Sequence, residues 1–351
     1  MSEITFEITP TSRLDIIDIN RLVRERHGDL GARFKQALYC SYHTTAGYLS
    51  EGILRRLDDR SSIEAYCESF QRIFPPGAGY RHDQLDERLE LSLAERAVEP
   101  KNADSHLTFM GAGLENCVTY TCDISRPAYF IDLDGMNGRT PRRRKTTIVG
   151  FNREKRVVTL SLLVPVSSHP IDSVSFRDPR LGLIDQINDA IAHHGIGKGR
   201  VVVSLDPSES KAALTVNEYE TLLMKHDLVD VLRDPFRFMA EKGKNMLRDP
   251  RAIPSKARNY AKYDLVQVLN EIFDQLGMNE SIIERVVERL MAFPAQRLLR
   301  MKRTVNLLVN GAEGGRPAKV IYGKYQSPIL VQWDRPNGTA RRVNVAITAL
   351  E

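Results

Sequence analysis

Three histidines in the first third of the chain stand in polar, turn-rich settings suited to chemistry. They are His43 in the segment Tyr39 to Tyr48, His82 in Gly79 to Asp83, and His106 in Asn102 to Thr108. Neutral imidazole is the commonest protein ligand for zinc, and a set of three leaves a fourth position open for water or substrate. His43, His82 and His106 therefore suggest a divalent metal site, zinc first. No pair has the His-x-x-x-His spacing that places two ligands on one helical face, so convergence depends on the fold. The alternative is that all three are surface loop histidines. Asp83 and Asp104 lie beside the second and third and could accept from the far imidazole nitrogen.

A second concentration of chemistry follows. Gly138 to Lys145 packs five cations into eight residues, directly after Asp132 to Gly135. Forked guanidinium contacts and a lysine point charge suit a phosphate group. Arg139, Arg142 and Arg143 are the expected phosphate contacts. A solvated loop, or charge pairing at a subunit interface, would use the same residues. Asp132 and Asp134 alternate with period two, share one face of a strand, and could hold metal, act as acid and base, or simply end the strand.

Residues 2–9 and 34–42 are strands, the second delivering His43 into a turn of Thr44, Thr45 and Gly47. Residues 14–26 are expected to be helical, as is 50–73 with a break near Asp58. Pro75 to Gly79 cannot continue a helix and forms the loop before His82. Residues 84–96 carry apolar positions at helical period. Strands are expected near 116–122, 127–133, 145–151 and 156–166, with Asn152 to Lys155 as a hairpin turn. Short links between successive strands predict antiparallel sheet, hence an α+β fold. A polar stretch at 166–172 marks a domain boundary, giving domains 1–168 and 169–351. In the second, 181–194 is a helix ended by Gly195 to Gly199, a pattern closer to a helix C-cap than to a phosphate loop, and 201–205 is a buried strand. From Val216 to about Met301 the pattern is helical, with a basic stretch at 242–258 and apolar stripes at 263–273 and 282–290. Three closing strands, at 318–323, 329–333 and 342–347, read as a small β-meander.

Composition sets the bounds. The 351 residues are 42% hydrophobic and 27% charged, ample for a sizeable core and two domains. The formal net charge of +5 is mild, and the basic stretches lack interleaved aromatics, which disfavours a nucleic-acid partner. No stretch reaches the roughly 20 apolar residues of a membrane span, and the N-terminus has no basic and apolar leader. Four cysteines without a Cys-x-x-Cys pair fit a reduced, cytoplasmic protein.

Ser41 to Glu51, Tyr80 to Asp83, Asn102 to Leu114, and Tyr129 to Gly135 followed by Arg142 to Arg144 resemble, in order and setting, the signature segments of the YjbQ-like family. The resemblance covers roughly residues 1–166. It implies a compact α+β domain, a histidine-lined metal site, trimerisation, and an activity of the secondary thiamine-phosphate synthase kind. Under it the three histidines are metal ligands, and Glu51 joins Asp132 and Asp134 as a catalytic candidate. The chain departs from the family at Ser50 to Ile53 and at Gln84 to Arg96, where the family carries an Asn-Glu-Asn-like stretch and an acidic, Gly-rich one. The expected function is a metal-assisted transferase or hydrolase acting on a phosphorylated small molecule, in a homo-oligomer. The alternative is a non-catalytic binding or assembly module with a vestigial or sensory metal site. Residues 169–351 resemble no family.

Overall fold

The computed structural model describes residues 1–28, 33–57, 59–123, 126–234, 237, 238, 241, 242, 301–312, 316–336 and 338–351. The chain is an α+β protein whose named sheets are antiparallel throughout. It divides into two compact units that interleave in sequence. Met1–Glu51, Leu114–Tyr219 and Met301–Glu351 form the first, and Gly52–Gly113 with Glu220–Arg300 the second. The expected boundary at 168/169 falls inside the first unit.

In the first unit, strands Ser2–Ile8, Arg144–Phe151, Gln36–Ser41 and Cys117–Thr121 lie side by side in that order. Ile4, Phe6 and Ile8 are buried while Thr5 and Glu7 are exposed, the period of two that a half-buried strand requires. A five-stranded sheet runs Glu154–Pro165, Ala340–Leu350, Lys198–Leu205, Thr304–Ala312, Arg316–Ile321. Val201, Val203, Val345 and Ile347 share a core with Ile184, Ile187 and Ile191 of helix Leu183–His193. The apolar spacing of that helix points one stripe at the sheet. Gly195, at φ 61°, follows it in the left-handed conformation that a C-cap needs. A third sheet orders Asp172–Ser175, Gln326–Gln332, Ala212–Glu218.

Several elements differ from expectation. Residues 15–18 are not helical: Asp15–Asp18 pairs with Tyr129–Asp132, and the helix begins at Ile19, where the Asp18 side chain accepts from the Arg21 N–H. The β-branched pair Ile16 and Ile17 suits the ladder, and the Asp18 cap sets the helix start. Asn152 to Lys155 is not a hairpin turn, because the strands on either side of it pair in different sheets. The closing strands do not form a meander either: Arg316–Ile321 and Ala340–Leu350 are non-adjacent in the five-stranded sheet, and Gln326–Gln332 lies in the third sheet. Val216 lies in strand Ala212–Glu218, not in a helix. The apolar stripes at 263–290, and the basic stretch beyond Lys242, lie outside the described residues.

In the second unit, helices Glu51–Leu57 and Arg60–Ile73 precede the fully buried Ala103–Gly111. Tyr66, Phe70 and Phe74 fill its core, and the Tyr66 hydroxyl donates to the Ala112 carbonyl at 2.7 Å. Residues 84–96 form no continuous helix. A 3-10 turn at Leu85–Glu87 and a short helix at Leu93–Val98 take their place, with Leu89 87% and Leu93 84% exposed. The helical period there does not mark a core face. Among the described residues no helix is long and apolar enough to cross a membrane.

Candidate functional site

His43 stands in the loop after strand Gln36–Ser41, held from three sides. Asn116 Nδ2 donates to its carbonyl at 2.5 Å, and Gln326 Nε2 donates to the same carbonyl at 2.9 Å and to that of Ser41 at 3.0 Å. Gly323 lies so close beneath that a Cβ there would meet the Tyr42 carbonyl oxygen at 1.9 Å, which only glycine permits. Gln326 and Gly323 are hundreds of residues away in sequence and had no local signal. The His43 Nε2 accepts the Lys145 backbone N–H at 2.7 Å, which fixes the Nδ1–H tautomer. Burial, then the charges of Arg144 and Arg142, push its pKa down to about 3.

The unfolded chain binds a proton near pH 6.5 and the folded one only near pH 3, so His43 contributes stability fully above 6.5, and the contribution is lost as pH falls toward 3. His43→Gln, which keeps an acceptor for the Lys145 N–H, is expected to shrink the fall in urea midpoint between pH 7 and pH 4.5. Identical pH dependence in the two proteins would refute this account of the group.

The two aspartates and the cation run are sorted by the sheet. Arg144 points inward at 3% exposure, and its guanidinium grips Asp132 through Nε to Oδ2 at 2.6 Å and Nη2 to Oδ1 at 2.8 Å. Nη2 also donates to the Asp134 carbonyl at 2.5 Å. Burial raises the Asp132 carboxyl, while the Arg144 pair and the Asp134 N–H pull against it. Arg142 pairs with the Asp134 carboxylate. Both expected catalytic aspartates are thus engaged with arginines. Of the expected phosphate contacts, Arg142 is half-buried, while Arg139 and Arg143 are exposed, as is Lys145. Among the described residues these last three have no carboxylate partner. Glu51 opens helix Glu51–Leu57, and its Oε1 accepts the Thr121 N–H at 3.3 Å.

His82 and His106 belong to the second unit, His43 to the first. Neither His82 nor His106 is a surface loop residue; both are fully buried. Their rings lie 5.2 Å apart, and a ring nitrogen of each lies within 4.8 Å of the other. Asp83 joins them, as its Oδ1 is 3.2 Å from His82 Nδ1 and accepts the Ala103 N–H at 3.0 Å, at the start of the helix that carries His106. Asp227 accepts the backbone N–H groups of Arg81 and His82 at 3.0 and 2.9 Å. Burial raises its carboxyl, against those two N–H groups, and burial lowers the Lys242 ammonium beside it. The sequence singled out Asp83 but neither Asp227 nor Arg88.

Distance alone would admit an ion between the two imidazoles. The His82 lone pair does not. With Nδ1–H directed at Asp83, His82 has Nε2 as its ligand atom, and the Arg88 Nη1 stands 3.3 Å from it. The His43 Nε2 is likewise taken by the Lys145 N–H. As arranged, His43 and His82 do not fit the zinc that the resemblance implies.

No family model matches the chain, and no curated protein does. Solved structures do. A YbjQ-like protein of unknown function from Sulfolobus solfataricus shares 16% identity, covering 56% of this chain and 99% of its own, at a TM-score of 0.29. A hypothetical protein from Aeropyrum pernix shares 17%, covering 55% and 99%, at 0.29. An uncharacterized conserved protein of the yjbq/upf0047 family from Clostridium acetobutylicum shares 14%, covering 54% and 99%, at 0.26. The chain resembles YjbQ-like proteins. The match spans about half of it, and the YjbQ-like structures matched are described as of unknown function or uncharacterized.

Proposed function

We propose that this protein binds a phosphorylated small molecule at the cationic edge beside His43 and acts on it as an enzyme. One observation carries the reading: Arg139, Arg143 and Lys145 are exposed without a carboxylate partner among the described residues, and the Lys145 backbone N–H fixes a half-buried, neutral His43. Guanidinium forks and an ammonium at one edge suit phosphate oxygens, and an uncharged imidazole beside them neither adds to nor cancels their field. Joining a pyrimidine pyrophosphate to a thiazole phosphate is the finer candidate, supported by the motif resemblance alone. A non-catalytic binding module is the second reading, favoured by the donors already seated on the His43 and His82 lone pairs.

The test is calorimetric titration with inorganic pyrophosphate, at two salt concentrations, on the full chain. Binding is expected to weaken with salt and to fall by about tenfold or more in an Arg139→Ala, Arg143→Ala, Lys145→Ala variant, since several charge-assisted contacts of about 1.5–3 kcal/mol each are removed. Equal binding by the variant would remove the phosphate assignment. Turnover of the pyrimidine and thiazole phosphates then separates the enzyme from the binding module.

A further inference from the structure

We infer that Arg88 is a built-in cation at the histidine pair of the second unit, occupying the place beside His82 that a metal ion would need. The guanidinium is 2% exposed, so it is a designed part of the interior rather than a surface side chain folded over a pocket. Its Nη1 stands 3.3 Å from His82 Nε2 and donates to Glu99 Oε1 at 3.0 Å, while Nε donates to Glu90 Oε1 at 2.7 Å. Two carboxylates thus neutralise a charge that would otherwise be prohibitive to bury.

Neither partner is placed to swing away. The Arg88 carbonyl accepts from Arg96 Nη2 at 3.0 Å, and Arg96 Nε donates to the Leu91 carbonyl at 3.1 Å. Ser92 and Glu95 close a capping box at the start of the next helix. On the other side, Asp227 pins the His82 backbone and Asp83 accepts from Nδ1. A metal ion at Nε2 would have to displace the guanidinium and leave it, buried, against a second cation. Arg88 also lies in Gln84 to Arg96, the segment in which this chain departs from the YjbQ-like pattern. The inference concerns the second unit alone and does not rest on the phosphate reading.

Zinc content of freshly purified full-length protein, and titration with Co2+ followed by its visible absorption, test it. Wild type is expected to show no bound metal that depends on His82. Arg88→Ala should gain Co2+ affinity by about tenfold or more, the scale of effect seen when groups around metal ligands change, and lose it again when His82→Ala is added. Arg88→Lys should behave as wild type. One equivalent of zinc in wild type that disappears in His82→Ala would overturn the inference, and that comparison decides even if Arg88→Ala does not fold. A folded Arg88→Ala that gains no affinity would also overturn it.

Discussion

Arg144→Met will lower the stability of this protein by about 3–5 kcal/mol, read as a fall in urea midpoint at pH 7, because it strands the Asp132 carboxylate in the interior. Asp132 has no solvent exposure, and both of its oxygens are held by the Arg144 fork. Removing the guanidinium also withdraws the donor to the Asp134 carbonyl. The loss arises from an uncompensated buried charge, not from the attraction itself. Hence Arg144→Met combined with Asp132→Leu should recover much of it, since a buried pair replaced by apolar groups of similar volume is often neutral. Should the single variant unfold at the wild-type midpoint, the pair does not stabilise the fold as described. Arg143→Met, one residue away and exposed, is the internal control, with an expected change within about 0.5 kcal/mol.

Asp227→Ala should be the most damaging single change to the His82 loop. One carboxylate accepts two backbone N–H groups there and stands 4.0 Å from the Lys242 ammonium. Each N–H left without an acceptor in the interior costs about 1–3 kcal/mol, and the lysine loses its counter-charge. Lys242 stays tied to the loop through the Gly79 carbonyl at 3.0 Å and the Tyr80 ring at 4.5 Å, so collapse of the whole loop is not expected. The measurement is therefore local: hydrogen exchange at the amides of Arg81 and His82 should accelerate by about tenfold or more. Asp227→Asn, which keeps one acceptor and turns an N–H at the other amide, should fall between. Unchanged protection of both amides in Asp227→Ala would show that the carboxylate does not hold the loop.

Both predictions mark where sequence reasoning stopped. The alternation of Ile4, Phe6 and Ile8, the apolar stripe of Leu183–His193 and the glycine that ends it were legible because they follow from local periodicity and backbone freedom. At 15–18 and 84–96 the same reasoning misled. In the first case an Asp cap and β-branched pairing outweighed the helical spacing, and in the second Leu89 and Leu93 stand exposed, with no core face among the described residues.

By itself, the sequence determined which residue types were available for chemistry: three histidines in polar turns, two aspartates two apart, and a run of five cations. It also determined an α+β protein with antiparallel strands. Folding decides what each group does. Which arginine turns inward depends on strand register, and a one-residue shift exchanges Arg144 for Arg143. Whether His82 meets a metal or a guanidinium depends on how residues 84–96 fold back. What pins its loop is Asp227, 145 residues further along the chain. Contacts at such separation leave no periodic trace, because local propensity records the neighbours a residue has in sequence and not those that folding brings to it.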